Sequence, residues 1–325
     1  MRIPKILRLL NNFKSFISHF RENISQIFGE KKMKTKTIRV ALLFAITISL
    51  SLFAFVQAQP QAQQKSASFL GFYETFRGKP PKPGRPSKGI ATGVVSELPP
   101  GSDRWAIIIG ISDYAGDQYD LDYCDDDALD FYDALINVYG WSSNHIQLLI
   151  DGEATQASIL STIDWMRTNE DSDDEVVFFY SGHGSVSQRN ADNDAERKDE
   201  CIIPWEIESD HYIWDGDLSE EFSSFESTRI LFYFDSCYSG GMTDLAGSGR
   251  LICMACKENQ VSWEMSQYEN GQFTYYFVDQ GMLVGKADAN NDGLVTCEEA
   301  FDYAKANCQS QTPTPSDNFP DDMLP

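Results

Sequence analysis

Apolar runs and helical repeats alternate along the middle of the chain. Short runs of apolar, β-prone residues predict buried strands, and apolar residues spaced three and four apart predict helices. The predicted strands are 105–110, 145–150, 175–180, 201–204, 229–234 and 250–255, and the predicted helices are 126–139, 155–168, 273–283 and 297–306. Strands that alternate with helices favour an α/β fold, in which helices cover both faces of a mostly parallel sheet.

The remaining segments differ in composition. Residues 1–58 combine a basic extension with 17 uncharged residues from 40 to 56, which predicts a secretory signal and a secreted protein. An uncleaved membrane anchor through 40–56 stays open, because this length is near the lower limit for a spanning helix. Residues 59–103 predict a Gln- and Pro-rich linker or propeptide, 104–308 the folded domain, and 309–325 a disordered acidic tail.

The charge of the chain narrows the range of partners. It has 49 acidic and 26 basic residues, a formal net charge of −23. This balance argues against a nucleic acid partner, since binding to phosphates requires the opposite sign. It favours cations, either metal ions or basic peptide side chains. Seven cysteines, an odd number, predict at least one free thiol in an exported protein. We expect a monomer.

Two polar motifs follow two of the predicted strands. Ser181-Gly182-His183-Gly184 ends the strand at 175–180, and Asp235-Ser236-Cys237 ends the strand at 229–234. The carboxyl ends of parallel strands are where sites form in α/β sheets. A thiol needs a neighbouring base to become a nucleophile near neutral pH. The pattern predicts Cys237 as nucleophile and His183 as base, the alternative being a structural buried cysteine.

These motifs, in this order and at this separation, resemble those of the caspase-like cysteine peptidases, and among them the metacaspase branch. The resemblance extends from Arg104 to about Asn307 and implies a caspase-like α/β/α sandwich that hydrolyses peptide bonds. The chain departs from the caspase signature, which has Gln-Ala-Cys where this sequence has Asp235-Ser236-Cys237. Two alternatives remain: a gingipain- or legumain-type thiol peptidase, and an inactive secreted calcium-binding module of caspase-like fold.

The residue two positions before the nucleophile bears on specificity. An acid at the base of a pocket selects Lys or Arg by charge pairing, so Asp235 predicts cleavage after these residues. The metacaspase resemblance implies a pocket of four residues: Cys124, Asp127, Ser181 and Asp235. The acidic run 125–127 also has a simpler interpretation, a solvated helix N-terminus that interacts with the helix dipole. Of the three acids at 125–127, we expect only Asp127 to line the pocket.

One segment matches a calcium-binding loop in full. Residues 288–299 follow the Asp-x-Asn-x-Asp-Gly-x₅-Glu pattern of an EF-hand. The expected Ca²⁺ ligands are Asp288, Asn290, Asp292, the Leu294 carbonyl, Thr296 and Glu299. Bound Ca²⁺ would fix the last helix against the sheet. The alternative is an acidic turn without a metal.

The resemblance implies a second calcium site and self-processing. Some metacaspases bind an activating Ca²⁺ through dispersed aspartates, and the matching positions here are Asp199, Asp215, Asp217 and Asp244. The family commonly has consecutive acids where this chain has Asp215-Gly216-Asp217. With Arg/Lys specificity, the polar segment 185–198 and the linker near Arg85 and Lys88 become candidate self-cleavage sites.

Overall fold

The computed structural model describes residues 89–187 and 198–325. The predicted secretory signal or anchor, most of the predicted linker and most of the segment 185–198 lie outside these ranges. Within these ranges, no helix is both long enough and apolar enough to span a bilayer.

The described elements follow the predicted alternation. The strands are β1 Val95–Ser96, β2 Arg104–Gly110, β3 Ile146–Ile150, β4 Glu175–Ser181, β5 Gly184–Ser187, β6 Asp199–Ile202, β7 Ile213–Trp214, β8 Ile230–Asp235, β9 Arg250–Met254, β10 Glu264–Met265, β11 Asn270–Gly271, β12 Thr314–Asp317 and β13 Asp322–Met323. The helices are α1 Cys124–Asn137, α2 Gln156–Asn169, α3 Asp215–Phe222, α4 Gln272–Thr274, which a π-helix Tyr275–Leu283 continues, and α5 Cys297–Asn307.

A six-stranded sheet of order β12-β9-β8-β4-β2-β3 forms the centre of the described chain. Strands β2, β3, β4, β8 and β9 are parallel, and β12 is antiparallel to β9. Every residue of β4 and β8 is buried, as expected for parallel strands with both faces covered. Successive side chains point to opposite faces, so Phe179 and Tyr233 join one core layer while Phe178 and Phe232 join the other. The predicted α/β fold is confirmed.

A smaller sheet of order β5-β6-β7 lies next in the chain to the first polar motif. Strand β5 begins at Gly184, directly after His183, and pairs antiparallel with β6. Strand β6 pairs in turn with β7, which leads into α3 at Asp215. This sheet therefore connects the predicted catalytic histidine to the acidic residues on β6 and α3.

The prediction of a disordered tail at 309–325 is wrong. Strand β12 pairs antiparallel with β9 and completes one edge of the main sheet. Phe319 and Met323 are buried, and the Gln311 side chain donates to the Ala255 carbonyl at 3.1 Å and to Ser262 Oγ at 2.9 Å. The composition of the segment is typical of disorder, but these few buried contacts anchor it to the domain. Strands as short as β12 and β13 leave no periodic pattern in the sequence by which they could be predicted.

The predicted boundary of the linker at 103 is also wrong. The Ile90 and Ala91 amides donate to the Asp302 carboxylate at 2.9 and 3.0 Å. Asp322, fully buried, accepts from the Thr92 and Gly93 amides, and β1 pairs in parallel with β13. Two carboxylates on the last elements therefore fix the end of the predicted linker to the domain, which extends beyond 104–308 on both sides.

Candidate active site

The two polar motifs meet at the carboxyl ends of neighbouring strands. Ser181 on β4 is the register partner of Asp235 on β8, and the Gly182 amide donates to the Asp235 carbonyl at 3.2 Å. His183 and Cys237 each lie two residues beyond this pair. A Cβ atom on Gly184 would lie 2.3 Å from the Cys237 carbonyl oxygen, so the two segments pass in close contact that only glycine permits here. The fold thus places both residues at one sheet edge.

The imidazole of His183 is oriented by a backbone carbonyl. Its Nε2 lies 2.7 Å from the Tyr119 carbonyl oxygen. A carbonyl only accepts hydrogen bonds, so Nε2 carries the proton and Nδ1 of the neutral ring is left as an acceptor. Burial lowers the pKa of His183, and the Tyr119 carbonyl opposes this shift. The ring is therefore neutral near pH 7, the form that a general base requires.

The Cys237 thiol is held in its protonated form. Its Sγ lies 4.0 Å from the Ser262 carbonyl oxygen, and burial raises the pKa of the thiol to about 12. Among the described residues, the hydrogen bonds of this thiol and of the His183 ring go to backbone carbonyls rather than to each other. Catalytic hydrogen bonds often tighten only when substrate binds. The geometry fits proton transfer during the reaction rather than a preformed thiolate–imidazolium pair.

Gly240 and Gly241 follow Cys237 and lie in close contact with their neighbours. A Cβ on Gly240 would lie 2.4 Å from the Glu258 amide nitrogen, and one on Gly241 would lie 2.1 Å from the Glu200 carboxylate. The Gly241 amide donates to the Tyr238 carbonyl at 3.0 Å. These glycines allow the turn after Cys237 to pack closely against its neighbours.

Asp127 and Asp235 form a pair of buried carboxylates near the predicted nucleophile, Cys237. Asp127 accepts from Ser181 Oγ at 2.7 Å and from the Gly271 amide at 2.9 Å. Asp235 accepts from Ser262 Oγ and, through its other oxygen, from Thr274 Oγ1 at 2.8 Å. Both carboxylates face one glycine, since a Cβ on Gly271 would lie 2.5 Å from Asp235 Oδ2 and 2.8 Å from Asp127 Oδ2.

The electrostatics of this pair follow from burial. Burial raises the pKa of Asp127, and the charge of Asp235 raises it further. Burial also raises the pKa of Asp235, while hydrogen bonds from Ser262 and Thr274 lower it. Neither carboxylate forms a salt bridge with a Lys or Arg of the described chain. A cation that entered would stabilise both ionised forms.

Glu264 is a third acid at this site, which the sequence analysis did not assign. Its carboxylate accepts from the Tyr123 amide at 2.7 Å and from Cys124 Sγ at 3.5 Å. It therefore fixes the beginning of α1, the helix that carries Cys124 and Asp127. The sequence did not indicate Asn270, Gly271 or Thr274 either, which hydrogen-bond to Asp127 or Asp235. For Glu264, the one indication in the sequence was its place within the segment that resembles the metacaspases.

Comparison with known proteins identifies the family. A family model described as the caspase domain matches residues 103–324. This chain belongs to the caspase-domain family. The match covers the two predicted catalytic motifs, the buried carboxylates and the β12 segment. It confirms the resemblance drawn from the sequence and the caspase-like sandwich.

Relatives place the chain near the metacaspases. Metacaspase-1 of Plasmodium falciparum is 30% identical over 214 residues, which are 54% of this chain and 35% of the relative. Metacaspase-4 of Arabidopsis thaliana is 32% identical over 43% of this chain and 34% of its own length. Inactive metacaspase-4 of Trypanosoma brucei brucei is 28% identical over 69% of this chain and 64% of the relative. The chain thus spans less than two thirds of each.

A solved structure shows the same fold. A Geobacter sulfurreducens protein of known crystal structure superposes with a TM-score of 0.50 at 18% identity. The superposition covers 66% of this chain and 92% of that chain. At this identity the likeness concerns the fold alone. Together with the family match, it supports the caspase-like fold of this chain.

The aspartates predicted for the dispersed calcium site lie on β6, on α3 and on a 3₁₀ helix at Ser239–Leu245. Asp199 on β6 and Asp215 on α3 are fully buried, whereas Asp217 is exposed and Asp244 is half-buried. The Ser219 hydroxyl of α3 donates to the Asp244 carbonyl at 2.7 Å. Glu200, 2% exposed and not predicted, lies against Gly241. Hard oxygen donors of this kind suit Ca²⁺.

The predicted EF-hand loop has the backbone shape of such a loop. Gly293 has φ +90°, and the Asp288 carboxylate accepts from the Asp292 and Gly293 amides at 3.1 and 3.0 Å. Glu299 accepts from the Thr296 amide at 3.2 Å and forms a capping box at the start of α5. Across the part of the chain that the structure describes, no three His, Cys, Asp or Glu side chains converge closely enough to hold a metal. Calcium therefore stays a prediction at both sites.

Proposed function

We propose that this protein is an active endopeptidase that uses Cys237 and His183 to cleave peptide bonds after Arg or Lys. The observation that carries the proposal is the pair of buried carboxylates, Asp127 and Asp235. Asp127 lies on α1, and Asp235 ends β8 two residues before Cys237. Two acids buried without a cation of the described chain are costly unless a ligand supplies the opposite charge. A substrate guanidinium or ammonium would do so.

The residues support an ordinary thiol mechanism. The substrate's basic side chain enters between Asp127 and Asp235, which places the scissile carbonyl near Cys237. His183 Nδ1 takes the thiol proton as Sγ attacks the carbonyl carbon, and a thioester forms when the imidazolium gives that proton to the leaving amine. Water, deprotonated by the neutral imidazole, then hydrolyses the thioester and returns the thiol. Before substrate binds, the protein holds these two groups on backbone carbonyls, and the bound peptide brings them into use.

The direct test is a panel of fluorogenic peptides that differ only in the residue before the scissile bond. The full chain is assayed with Arg, Lys and Asp peptides, and Cys237→Ala serves as the control. We expect cleavage of the Arg and Lys peptides and none by the control. Cleavage of the Asp peptide in preference to the other two would refute the specificity, and cleavage by Cys237→Ala would refute the nucleophile.

A second candidate function is an inactive caspase-like module that binds calcium. It is favoured by one relative that carries the name Inactive metacaspase-4. The retention of both His183 and Cys237 at the same sheet edge argues against it here. A thiol-directed covalent inhibitor separates the two functions, because an active enzyme is labelled at Cys237 far faster than at the other cysteines.

We further propose that Ca²⁺ has two roles. Bound at Asp199, Asp215, Asp217 and Asp244, it would activate the peptidase; in the loop 288–299, it would stabilise α5. The buried carboxylates of Asp199 and Asp215 in the first group and the turn geometry of the second support this division. Calcium-dependent activity that survives Asp288→Ala but not Asp199→Ala is the expected result. Equal loss in both variants, or activity independent of calcium in the wild type, would contradict it.

The proposal extends to processing and location. Arg/Lys specificity makes the segment 185–198 and the linker near Arg85 and Lys88 candidate self-cleavage sites, which mass spectrometry of the purified chain would locate. Residues 1–58 support export of the peptidase, either released or anchored through 40–56, and we propose that it is a monomer. Fractionation of expressing cells decides between these two forms.

A further inference from the structure

Two buried tyrosines hold the backbone of His183 from its two sides. The His183 amide donates to Tyr114 Oη at 2.7 Å, and Tyr180 Oη donates to the His183 carbonyl, also at 2.7 Å. Tyr114 is 2% exposed and Tyr180 is fully buried. The His183 carbonyl also accepts from the Ile203 amide at 3.1 Å, so the two hydroxyls add to the backbone hydrogen bond that continues the β5–β6 pairing.

The same hydroxyls fasten this backbone to the end of β6. Tyr180 Oη also lies 2.9 Å from the Ile203 carbonyl oxygen and accepts from the Ile203 amide at 3.2 Å. Tyr114 Oη lies 3.4 Å from that carbonyl and 3.5 Å from the other hydroxyl. Burial raises the pKa of both phenols, so each keeps its proton and remains a donor. A connected network of this kind is rigid when its members are satisfied.

Gly182 is required for this arrangement. A Cβ at position 182 would lie 2.7 Å from Tyr114 Oη and 2.7 Å from Tyr180 Oη. The residue before the catalytic histidine must therefore be glycine for the two hydroxyls to reach their partners. This explains the first glycine of the motif by contacts within the protein, independent of clearance for the substrate.

Tyr114 also belongs to the loop that orients the imidazole. The loop between β2 and α1 carries both Tyr114 and Tyr119, and the Tyr119 carbonyl accepts from His183 Nε2. The Tyr119 amide donates to the Gly116 carbonyl at 2.9 Å, which fixes the turn. The Tyr114 ring centroid lies 4.8 Å from that of the imidazole. One loop therefore holds the backbone, the ring face and the ring nitrogen of His183.

We propose that Tyr114 and Tyr180 are positioning residues for catalysis, which fix His183 so that its unprotonated Nδ1 can accept the Cys237 proton. The inference rests on the proposed peptidase function. A displacement of about 1 Å at a catalytic group can cost about 100-fold in rate. The hydroxyls act through His183 and need not touch the substrate.

The test uses Tyr114→Phe and Tyr180→Phe, which remove one hydroxyl each and keep the ring. Ser227→Ala is the matched control, because it removes a buried hydroxyl at the opposite end of the sheet, where Ser227 Oγ donates to the Asp174 carbonyl at 2.8 Å. We expect kcat for an Arg peptide to fall about 10- to 100-fold in the tyrosine variants while KM changes little. In the pH profile of kcat/KM, the midpoint of the acidic limb should move up towards pH 6.5, because greater solvation returns the pKa of His183 towards its ordinary value. Ser227→Ala should lower the unfolding midpoint without either effect.

A second readout separates failure of this inference from failure of the proposed function. Alkylation of Cys237 by iodoacetamide, followed by peptide mapping, depends on the His183 base and on no peptide substrate. The rate in the tyrosine variants should fall towards that of His183→Ala. Wild-type rates of alkylation in both tyrosine variants would overturn the positioning role, as would a wild-type rate in His183→Ala. Absence of peptide cleavage with a tyrosine-dependent alkylation rate would overturn only the peptidase function.

Discussion

Two groups of carboxylates in this protein differ in their burial and in the donors that hydrogen-bond to them. Asp127 and Asp235 are buried at the carboxyl edge of the main sheet and accept hydrogen bonds from side-chain hydroxyls and single amides. Asp288 and Asp292 lie on the predicted EF-hand loop, where Asp292 is exposed, and hydrogen bonds to their own loop's amides hold them. The first pair faces one glycine; the second pair surrounds a turn.

This difference shows why the proposed substrate pocket and the proposed calcium loop would each suit a different kind of cation. Burial strengthens electrostatic interactions and fixes the pocket carboxylates in place, which favours an organic cation that brings its own hydrogen-bond donors. Solvent-facing oxygens on a tight turn can instead gather around a small divalent ion. Net charge alone, −23 for the chain, would not separate the two.

The largest expected effect is at the pocket. Asp235→Asn removes one of the two buried charges and should lower kcat/KM for Arg and Lys peptides by about two to three orders of magnitude. Asp126→Asn, a neighbour of Asp127 on α1 that is only half-buried, should leave kcat/KM within about twofold of the wild type. Steady-state kinetics of both variants provide the measurement. Equal effects of the two substitutions would show that general charge, and not the pocket, attracts the substrate.

A smaller effect is expected from closing the space between the two carboxylates. Gly271→Ala would place Cβ 2.5 Å from Asp235 Oδ2, so one carboxylate must move, and kcat/KM should fall about 10- to 100-fold. Gly152→Ala is the control, because its nearest contact would be an ordinary 3.7 Å to the Trp205 ring. If Gly271→Ala retained full activity, the carboxylates would not need to face each other across this glycine.

The calcium loop should affect stability rather than chemistry. If Ca²⁺ binds at 288–299, a calcium concentration 100 times the dissociation constant stabilises the wild type by about 2.7 kcal/mol. Asp288→Asn removes the charge and one of the two oxygens that accept from the turn's amides, and most of this stabilisation should disappear. Thermal unfolding with Ca²⁺ and with a chelator measures it. An unfolding midpoint in the wild type that is insensitive to calcium would rule out the loop as a metal site.

The smallest effect concerns pH. Burial lowers the pKa of His183 below its ordinary value of 6.5. Neutral imidazole is the active form, so activity falls as His183 gains a proton, and the acidic limb of kcat/KM should have its midpoint below pH 6.5. A pH profile of kcat/KM in buffers of constant ionic strength gives this midpoint. A value above 6.5 would show that a nearby negative charge, and not burial, dominates at the ring.

The sequence predicted the parts of the site that depend on strand order. His183 and Cys237 follow apolar runs long enough to be recognised as strands, and neighbouring parallel strands bring their carboxyl ends together. Contacts made by loops were beyond its reach. Glu264 contacts the Tyr123 amide across 141 positions, and Tyr114 reaches His183 across 69, with no periodic pattern in either segment.

The ends of the domain were missed for a related reason. Phe319 and Met323 are single buried residues within polar surroundings, and β12 is an edge strand whose partner, β9, lies about sixty residues earlier in the chain. The composition of this segment predicted disorder because composition contains no information about the edge of β9, with which the segment pairs. The Asp302 and Asp322 carboxylates that hold residues 90–93 depend on the same three-dimensional context.

The most direct test of the central claim is a crystal structure of the full chain after reaction with a peptidyl chloromethyl ketone that ends in arginine. The account predicts a thioether at Cys237 Sγ and a guanidinium in contact with the carboxylates of Asp127 and Asp235. Attachment to another cysteine, or an arginine side chain that points away from both carboxylates, would contradict it.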